Sequence, residues 1–235
     1  FSLKTISDAE NIKQCLEDEN IKRIAIVGAG YIGLELAEAV ARNKKKAIEI
    51  FEAANHCLPS FDPEFGDAVQ KELNYNGVQV HTGETVCSFC GSDTIKGIMT
   101  ASGAAYDVDM AIIAIGVRPN TSFISSGKIE TLRNGAIITD AAMRSSVNDV
   151  YAAGDCSTVQ HKLLDKPVYI PLATNANKQG RFVADSVLGL PVKLKRALGT
   201  SALRCMGLEL GKTGLTQKEA LQEGIPAETV VIQNK

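Results

Sequence analysis

Ile24-Ala25-Ile26-Val27-Gly28-Ala29-Gly30-Tyr31-Ile32-Gly33-Leu34-Glu35 decides the fold. A short apolar run ends in Gly-x-Gly-x-x-Gly, and a helix-forming run, Leu34 to Arg42, follows at once. That glycine spacing carries information only in such a context, with a strand before it and a helix after. Gly28 allows the tight turn, Gly30 lets the backbone approach a pyrophosphate, and Gly33 lets the helix pack against the strand. The helix start, at Tyr31 and Ile32, then turns its N–H groups and positive dipole end toward phosphate oxygens. The next apolar run, Ala47 to Phe51, closes in Glu52, about 20 residues past the last glycine. A carboxylate there can accept hydrogen bonds from both ribose hydroxyls of an adenosine and would repel a 2′-phosphate. The stretch predicts a dinucleotide-binding βαβ unit, with NAD(H) preferred and NADP(H) possible.

The remainder of the chain sets few further bounds. Its 235 residues allow one large domain or two small ones, and 45% hydrophobic with 22% charged residues is an ordinary globular composition. A formal net charge of −2 gives no electrostatic reason to expect nucleic acid or an anionic membrane as partner. No apolar run approaches a membrane span, and no signal-peptide pattern is present. The sequence starts at Phe1 rather than Met, as an internal piece of a longer protein would. Cys15, Cys57, Cys87, Cys90, Cys156 and Cys205 follow no disulfide-framework spacing, which suits a reducing cytoplasm. Cys87-Ser88-Phe89-Cys90 is a C-x-x-C, but no second pair completes a zinc site, and no helix start is there to lower a thiol pKa. It reads as two coincidental strand cysteines, and no metal is expected.

In chain order, residues 1–20 read as a lead-in helix with a capping box at Ser7-Asp8-Ala9-Glu10. Strand 21–27, the glycine loop and a helix over 31–43 follow. Asn43-Lys44-Lys45-Lys46 sits where cations complement the helix dipole and face solvent. Asp62-Pro63 starts the next helix, with Phe65, Val69 and Leu73 on one face and a stop at Asn76-Gly77. Val78 to Val80 is a short strand. From Glu84 to Asp109 the pattern alternates, as an antiparallel hairpin set does. Met110 to Ile115 is continuous and apolar, as in a strand buried on both faces, and ends in Gly116. Ala136 to Asp140 and Asp149 to Ala153 read as strands, the second closing on Gly154-Asp155. A helix follows Pro171-Leu172-Ala173-Thr174 and runs to about Leu188 before Gly189 and Pro191. Ser201 to Leu210 reads as a strand, Thr216 to Glu219 as a second capping box, and Ala227 to Gln233 as a strand.

Three phrases together resemble the two-dinucleotide-domain flavoprotein disulfide reductases: Gly28-Ala29-Gly30-Tyr31-Ile32-Gly33-Leu34-Glu35, Gly116-Val117-Arg118-Pro119-Asn120-Thr121, and Val150-Tyr151-Ala152-Ala153-Gly154-Asp155-Cys156. Pro171 to Arg181 and Thr213-Gly214-Leu215-Thr216 are similar to the branch holding coenzyme A disulfide reductase, NADH oxidase and NADH peroxidase. The resemblance covers essentially the whole chain. It implies an α/β fold: a Rossmann-like NAD-binding domain with central parallel sheet and antiparallel crossover hairpin, part of an FAD domain, and the start of an α+β dimerisation domain. Residues 1–19 would be a lead-in helix from the FAD domain, 20–121 the NAD(P)-binding domain, 122–195 the second part of the FAD domain, and 196–235 the truncated start of the dimerisation domain.

The resemblance also implies roles. Tyr31 would lie over the nicotinamide pocket, Glu35 beside nicotinamide and flavin, Asp155 on the ribityl chain, and Ala173 and Thr174 at the flavin pyrimidine. The family's first glycine motif and its N-terminal redox cysteine have no counterpart here, so no residue of this chain is expected to be catalytic. The implied parent is a cytoplasmic, homodimeric, NAD(P)H-dependent FAD enzyme. Its expected substrate is a small disulfide such as coenzyme A disulfide, the alternative being oxygen or peroxide. The chain alone would be a nucleotide-binding module without catalysis.

Overall fold

The chain opens on helix α1 (Ile6–Glu17), whose start lies two residues ahead of the expected one. Thr5 is the cap: its hydroxyl accepts from the Asp8 N–H at 3.1 Å, while Asp8 Oδ2 accepts from the Lys4 and Thr5 N–H groups at 2.9 Å each. The Ser7–Glu10 pair therefore falls inside the first turn and caps nothing. In a computed structural model, residues 1–42, 46–124, 127–192 and 194–232 are described. They divide into two compact units, Phe1–Gly116 with Ala202–Leu210, and Val117–Ser201 with Gly211–Lys235.

The first unit is built on β1 (Arg23–Val27), α2 (Tyr31–Ala41), β2 (Ala47–Glu52), α3 (Pro63–Tyr75) and β3 (Val78–Thr82). An antiparallel sheet, β4 (Val86–Gly91), β5 (Ile95–Thr100) and β6 (Ala105–Asp107), precedes β7 (Met110–Ile113). The parallel sheet runs β3-β2-β1-β7. Its order reverses at β1, where open α/β sheets bind ligands beyond the strands' carboxyl ends. Phe1 and Ser2 extend the β7 edge: Ile113 N–H donates to the Phe1 carbonyl at 2.8 Å, and Ser2 bridges Ile113 in parallel.

Period-two alternation explains how these apolar runs fill both faces. Ile24, Ile26, Ile48, Ile50 and Ile112 pack with Leu34, Ala37, Val69 and Leu73 of α2 and α3. On the opposite face Ala25, Phe51 and Ala111 meet Ile98 and Val108 from the antiparallel sheet and its exit. Phe65 is not on the buried stripe of α3, which is Gly66, Val69 and Leu73; it stands half exposed at the edge, 6.1 Å edge-on to Phe61. Asn43, Lys44 and Lys45 lie outside the described residues. Lys46 does not simply face solvent: its ammonium donates to the carbonyls of Asp18 (2.7 Å) and Ile21, closing the turn between α1 and β1.

The second unit holds less regular structure. It has β8 (Val159–Gln160), β9 (Pro167–Val168), α4 (Ala173–Val187) and α5 (Gln217–Gln222); the hairpin of β10 (Ser201–Cys205) and β11 (Leu208–Lys212) belongs to the first unit over Ala202–Leu210. The expected strands at 136–140 and 149–153 are not strands. Only isolated bridges form there: Ile137 bridges Thr131 and Ser157, and Tyr151 bridges Arg144. Gly135 (φ 92°), Met143 (φ 58°) and Asp149 (φ 60°) reverse the chain too often for a ladder to extend. The expected strand at 201–210 is instead the β10–β11 hairpin, turned at Met206 (φ 53°) and Gly207. Leu203, Cys205 and Leu210 enter the core of the first unit. Glu38 of α2 accepts from the Met206 N–H at 2.9 Å and Glu72 of α3 from the Gly207 N–H at 3.0 Å, so two helices hold that turn. Residues 227–232 form no strand, and Gln233 lies outside the described residues. Alternation there has no ladder partner among the described residues, and without one an apolar run does not become a strand. The α5 capping box forms at Thr216 and Glu219 as expected. Among the described residues no helix is long and apolar enough to cross a membrane.

Candidate dinucleotide-binding site

The three glycines of the loop differ in what surrounds them. Gly28 (φ 105°) leaves 2.5 Å between an added Cβ and the Ala114 carbonyl oxygen, and Gly33 only 1.9 Å to the Gly28 carbonyl oxygen. Side chains are excluded at both by backbone. At Gly30 an added Cβ would meet nothing within 4 Å. Its φ of −81° is open to any residue. The space over Gly30 therefore belongs to no protein atom, and it lies at the start of α2, where N–H groups of a first turn lack intrahelical acceptors.

Glu52, at the end of β2, is buried at 9% exposure. One carboxylate oxygen accepts from the Ala29 N–H at 2.7 Å and the other from the Ala54 N–H at 2.8 Å. Leu58, held at φ 53°, donates its N–H to the Ala29 carbonyl at 2.8 Å. The Ala29 peptide is thus gripped on both sides by the loop after β2, and that loop sets the glycine turn. With two N–H bonds made, the carboxylate keeps lone pairs for two further donors. Two adjacent hydroxyls of a ribose have that chemistry.

Tyr31 is half buried and meets Phe61 edge-on, with ring centroids 6.2 Å apart. Ile32 is half buried beside it, and Glu35 is exposed one turn further along α2. Gly116 (φ 107°) ends the first segment of the first unit.

Asp155, Ala173 and Thr174 lie in the second unit. Asp155 is exposed at the tip of a turn that Gly154 (φ 91°) opens and the Ser157 N–H closes onto the Gly154 carbonyl at 3.1 Å. Helix α4 starts behind Leu172, whose side chain cannot cap it. The starts of α1 and α5, by contrast, are sealed by capping boxes. A carboxylate on a turn and an uncapped helix start suit a hydroxylated chain and a polar ring edge. Those residues fit part of a flavin.

Two features went unforeseen. Gln179, 1% exposed in α4, accepts from the Gly154 N–H at 2.9 Å and donates to the Thr158 carbonyl at 2.8 Å. Nothing in the helical pattern distinguishes it from a solvent-facing glutamine. The Leu58–Ala29 bond joins backbone groups and leaves no mark in residue type.

All six cysteines are free thiols. Burial pushes the Cys57 thiol up to about 12, aided by the Glu52 carboxylate, and the Cys205 thiol to about 11. Neither is a nucleophile at neutral pH. Cys87 and Cys90 are exposed on β4, and no group of His, Cys, Asp or Glu among the described residues could hold a metal ion.

An α/β fold here combines a glycine turn, a buried acidic strand end and an uncapped helix start. The family model described as pyridine nucleotide-disulphide oxidoreductase matches residues 1–180. The chain belongs to that family. An NADH oxidase of Streptococcus pyogenes is 36% identical over 226 residues, 96% of this chain and 49% of that protein. A CoA-dependent NAD(P)H sulfur oxidoreductase of Pyrococcus abyssi is 34% identical, over 99% of this chain and 52% of its own length. The solved water-forming NADH oxidase of Lactobacillus brevis, bound to NADH, superposes with a TM-score of 0.92 at 37% identity, over 99% of this chain and 51% of that one. The chain spans about half the length of the curated relatives it matches.

Proposed function

We propose that this chain binds NADH, in preference to NADPH, and forms part of an FAD-dependent oxidase that passes electrons from NADH to oxygen. The observation that carries the nucleotide half is the buried Glu52 carboxylate, fastened to the Ala29 N–H at 2.7 Å beside the open space over Gly30. In this reading the α2 N-terminus takes the pyrophosphate, Glu52 the adenosine ribose, and Tyr31, seated against Phe61, covers the nicotinamide. Glu35 then lies beside nicotinamide and flavin, and Gly116 lets the chain pass close to the cofactor. FAD, when bound, would supply the two-electron acceptor for the nicotinamide hydride. Asp155 would hold its ribityl hydroxyl, and the α4 start at Ala173 and Thr174 would favour negative charge at its pyrimidine.

Oxygen as acceptor is supported by NADH oxidases among the relatives, such as those of Streptococcus pyogenes and Lactobacillus brevis, and is placed here ahead of a disulfide substrate. Coenzyme A disulfide remains a second reading, favoured by the Pyrococcus sulfur oxidoreductase. The full-length protein is taken as a cytoplasmic homodimer. The deciding experiment supplies the FAD-loaded full-length protein with NADH and follows oxygen uptake, then repeats it without oxygen in the presence of coenzyme A disulfide. Oxygen uptake that keeps pace with NADH oxidation is expected. Turnover with the disulfide and none with oxygen would reverse the order of the two readings.

A further inference from the structure

Helix α4 is anchored in an unusual way. Its two fully buried side chains, Gln179 and Ser186, are both polar and both bond to loop backbone. Ser186 donates to the Ala142 carbonyl at 2.6 Å. Gln179 bonds the turn that carries Asp155: its amide oxygen accepts from the Gly154 N–H, and from the Ser157 hydroxyl at 3.4 Å, while its nitrogen donates to the Thr158 carbonyl. The amide orientation is dictated by its partners, since a backbone N–H can only donate and a carbonyl only accept. The Thr139 hydroxyl also donates to the Thr158 carbonyl, at 3.1 Å, and the Thr158 hydroxyl accepts from the Thr139 N–H at the same distance. The turn is therefore held from both sides by a satisfied, buried network. Apolar packing would let the helix slide or rotate by fractions of a turn. Directional bonds to a buried amide do not.

We propose that Gln179 is a positioning residue for the flavin: it sets the separation between the Asp155 carboxylate and the open N-terminus of α4. This rests on the flavin reading given above. Gln179 stands six residues after Ala173, about 9 Å along the helix axis. The same side chain grips the residue before Asp155 and the third residue after it. A cofactor that touches Asp155 at one end and Ala173 and Thr174 at the other is measured against that one amide. Gln179 itself touches no cofactor, because it is buried behind the turn.

The test uses the FAD-binding full-length protein with Gln179→Leu, which removes all of these side-chain bonds, and Gln179→Glu, which keeps the acceptor for Gly154 and loses the donor to Thr158. Ser186→Ala removes the other polar anchor of α4 as a control. FAD affinity is read by flavin fluorescence, NADH affinity by calorimetry, and each Gln179 variant is crossed with Asp155→Asn. Gln179→Leu should weaken FAD binding about tenfold or more. Gln179→Glu should give a smaller loss, and NADH affinity should stay unchanged in both. Adding Asp155→Asn to Gln179→Leu should weaken FAD little further, because a mispositioned carboxylate has little left to lose. Ser186→Ala should lower the melting temperature without this signature. Wild-type FAD affinity in both Gln179 variants, full additivity with Asp155→Asn, or an equal FAD loss in Ser186→Ala would each overturn the proposal while leaving the flavin reading intact. A wild-type protein that takes up no FAD would sink that reading, and this proposal with it.

Discussion

At the scale of single residues, the proposed NADH site separates folding from binding within the glycine loop. A methyl group at Gly33 would sit 1.9 Å from the Gly28 carbonyl oxygen, with no flexible side chain to yield. Gly33→Ala should therefore destabilise by about 1–3 kcal/mol, the usual range for overpacking. Gly30→Ala meets no protein atom and requires no unusual φ. Its melting temperature should match wild type, yet NADH affinity should fall about tenfold, as expected for one lost charge-assisted hydrogen bond. Thermal denaturation and calorimetry on the two variants check both halves; equal NADH affinity in Gly30→Ala would place the pyrophosphate elsewhere. Glu52 joins the two roles that the glycines keep apart. Glu52→Arg removes the repulsion toward a 2′-phosphate and adds a partner for it, so the NADH:NADPH affinity ratio should move toward NADPH. It also strips the acceptors from the Ala29 and Ala54 N–H groups, and leaving such groups unsatisfied costs about 1–3 kcal/mol. The variant should thus exchange cofactor preference and lose stability together. An unchanged affinity ratio would mean that another residue reads the ribose.

At the scale of elements, the β10–β11 hairpin shows how a segment distant in sequence is fastened to the Rossmann core. Its turn donates two N–H groups to carboxylates on two helices, Glu38 and Glu72. Replacing both by Ala should raise amide exchange at Met206 and Gly207 while leaving β1 and β2 protected, because Leu203 and Cys205 still pack below. Exchange unaltered in the double variant would show that apolar packing alone holds the turn. The same hairpin shows what a sequence conceals. The doubly buried β1 announces itself by an unbroken apolar run, and α2 and α5 by glycine and capping patterns; the run at 110–115 misleads in part, since β7 ends at Ile113, which is exposed, as is Ile115. The reversal at Met206 has no such mark, since methionine is an unexpected residue at φ 53° and the alternation runs on through it. The segments at 136–140 and 149–153 alternate as strands do, but their neighbours at Gly135, Met143 and Asp149 turn the chain before a second rung can form. The places of Glu52 and of the loop glycines were legible because a tight turn after a strand, a close helix–strand approach and an acid at a strand end each require particular residue types. Gln179 and the Leu58–Ala29 bond were not, because a buried amide looks like an exposed one in sequence and a backbone bond has no side chain to read.

At the scale of the whole molecule, two titrating groups predict that acid acts on the two units in sequence. In the second unit His161 is buried, and its Nδ1 accepts from the Leu163 and Leu164 N–H groups at 3.2 Å each. A proton on Nδ1 would set donor against two donors. Burial lowers its pKa below the ordinary 6.5, Glu219 of α5 and Glu223 just past it pull it upward, and Lys166 just ahead of β9 and Lys212 of β11 reinforce the lowering. The unfolded chain takes up the proton first, so stability falls as pH drops below about 6.5 and levels off once the folded state is protonated too. In the first unit the Arg23 guanidinium, bonded to Asp109 at 2.9 Å, holds that carboxyl down at about 2, assisted by the Lys22 and Arg23 N–H groups. Asp109 is partly open to solvent, so screening trims its contribution. The sign is the same but the window is lower: its stabilisation is complete above the unfolded value near 3.9 and is lost as pH falls through about 2. Hydrogen exchange followed from pH 7 to pH 3 should therefore show the 161–166 turn loosening first, with β1 and β7 protected to lower pH. His161→Gln, with no group to titrate, should abolish the upper step and leave the lower one. Simultaneous loss of protection in both units, or an upper step that survives His161→Gln, would show that some other group governs the response to acid.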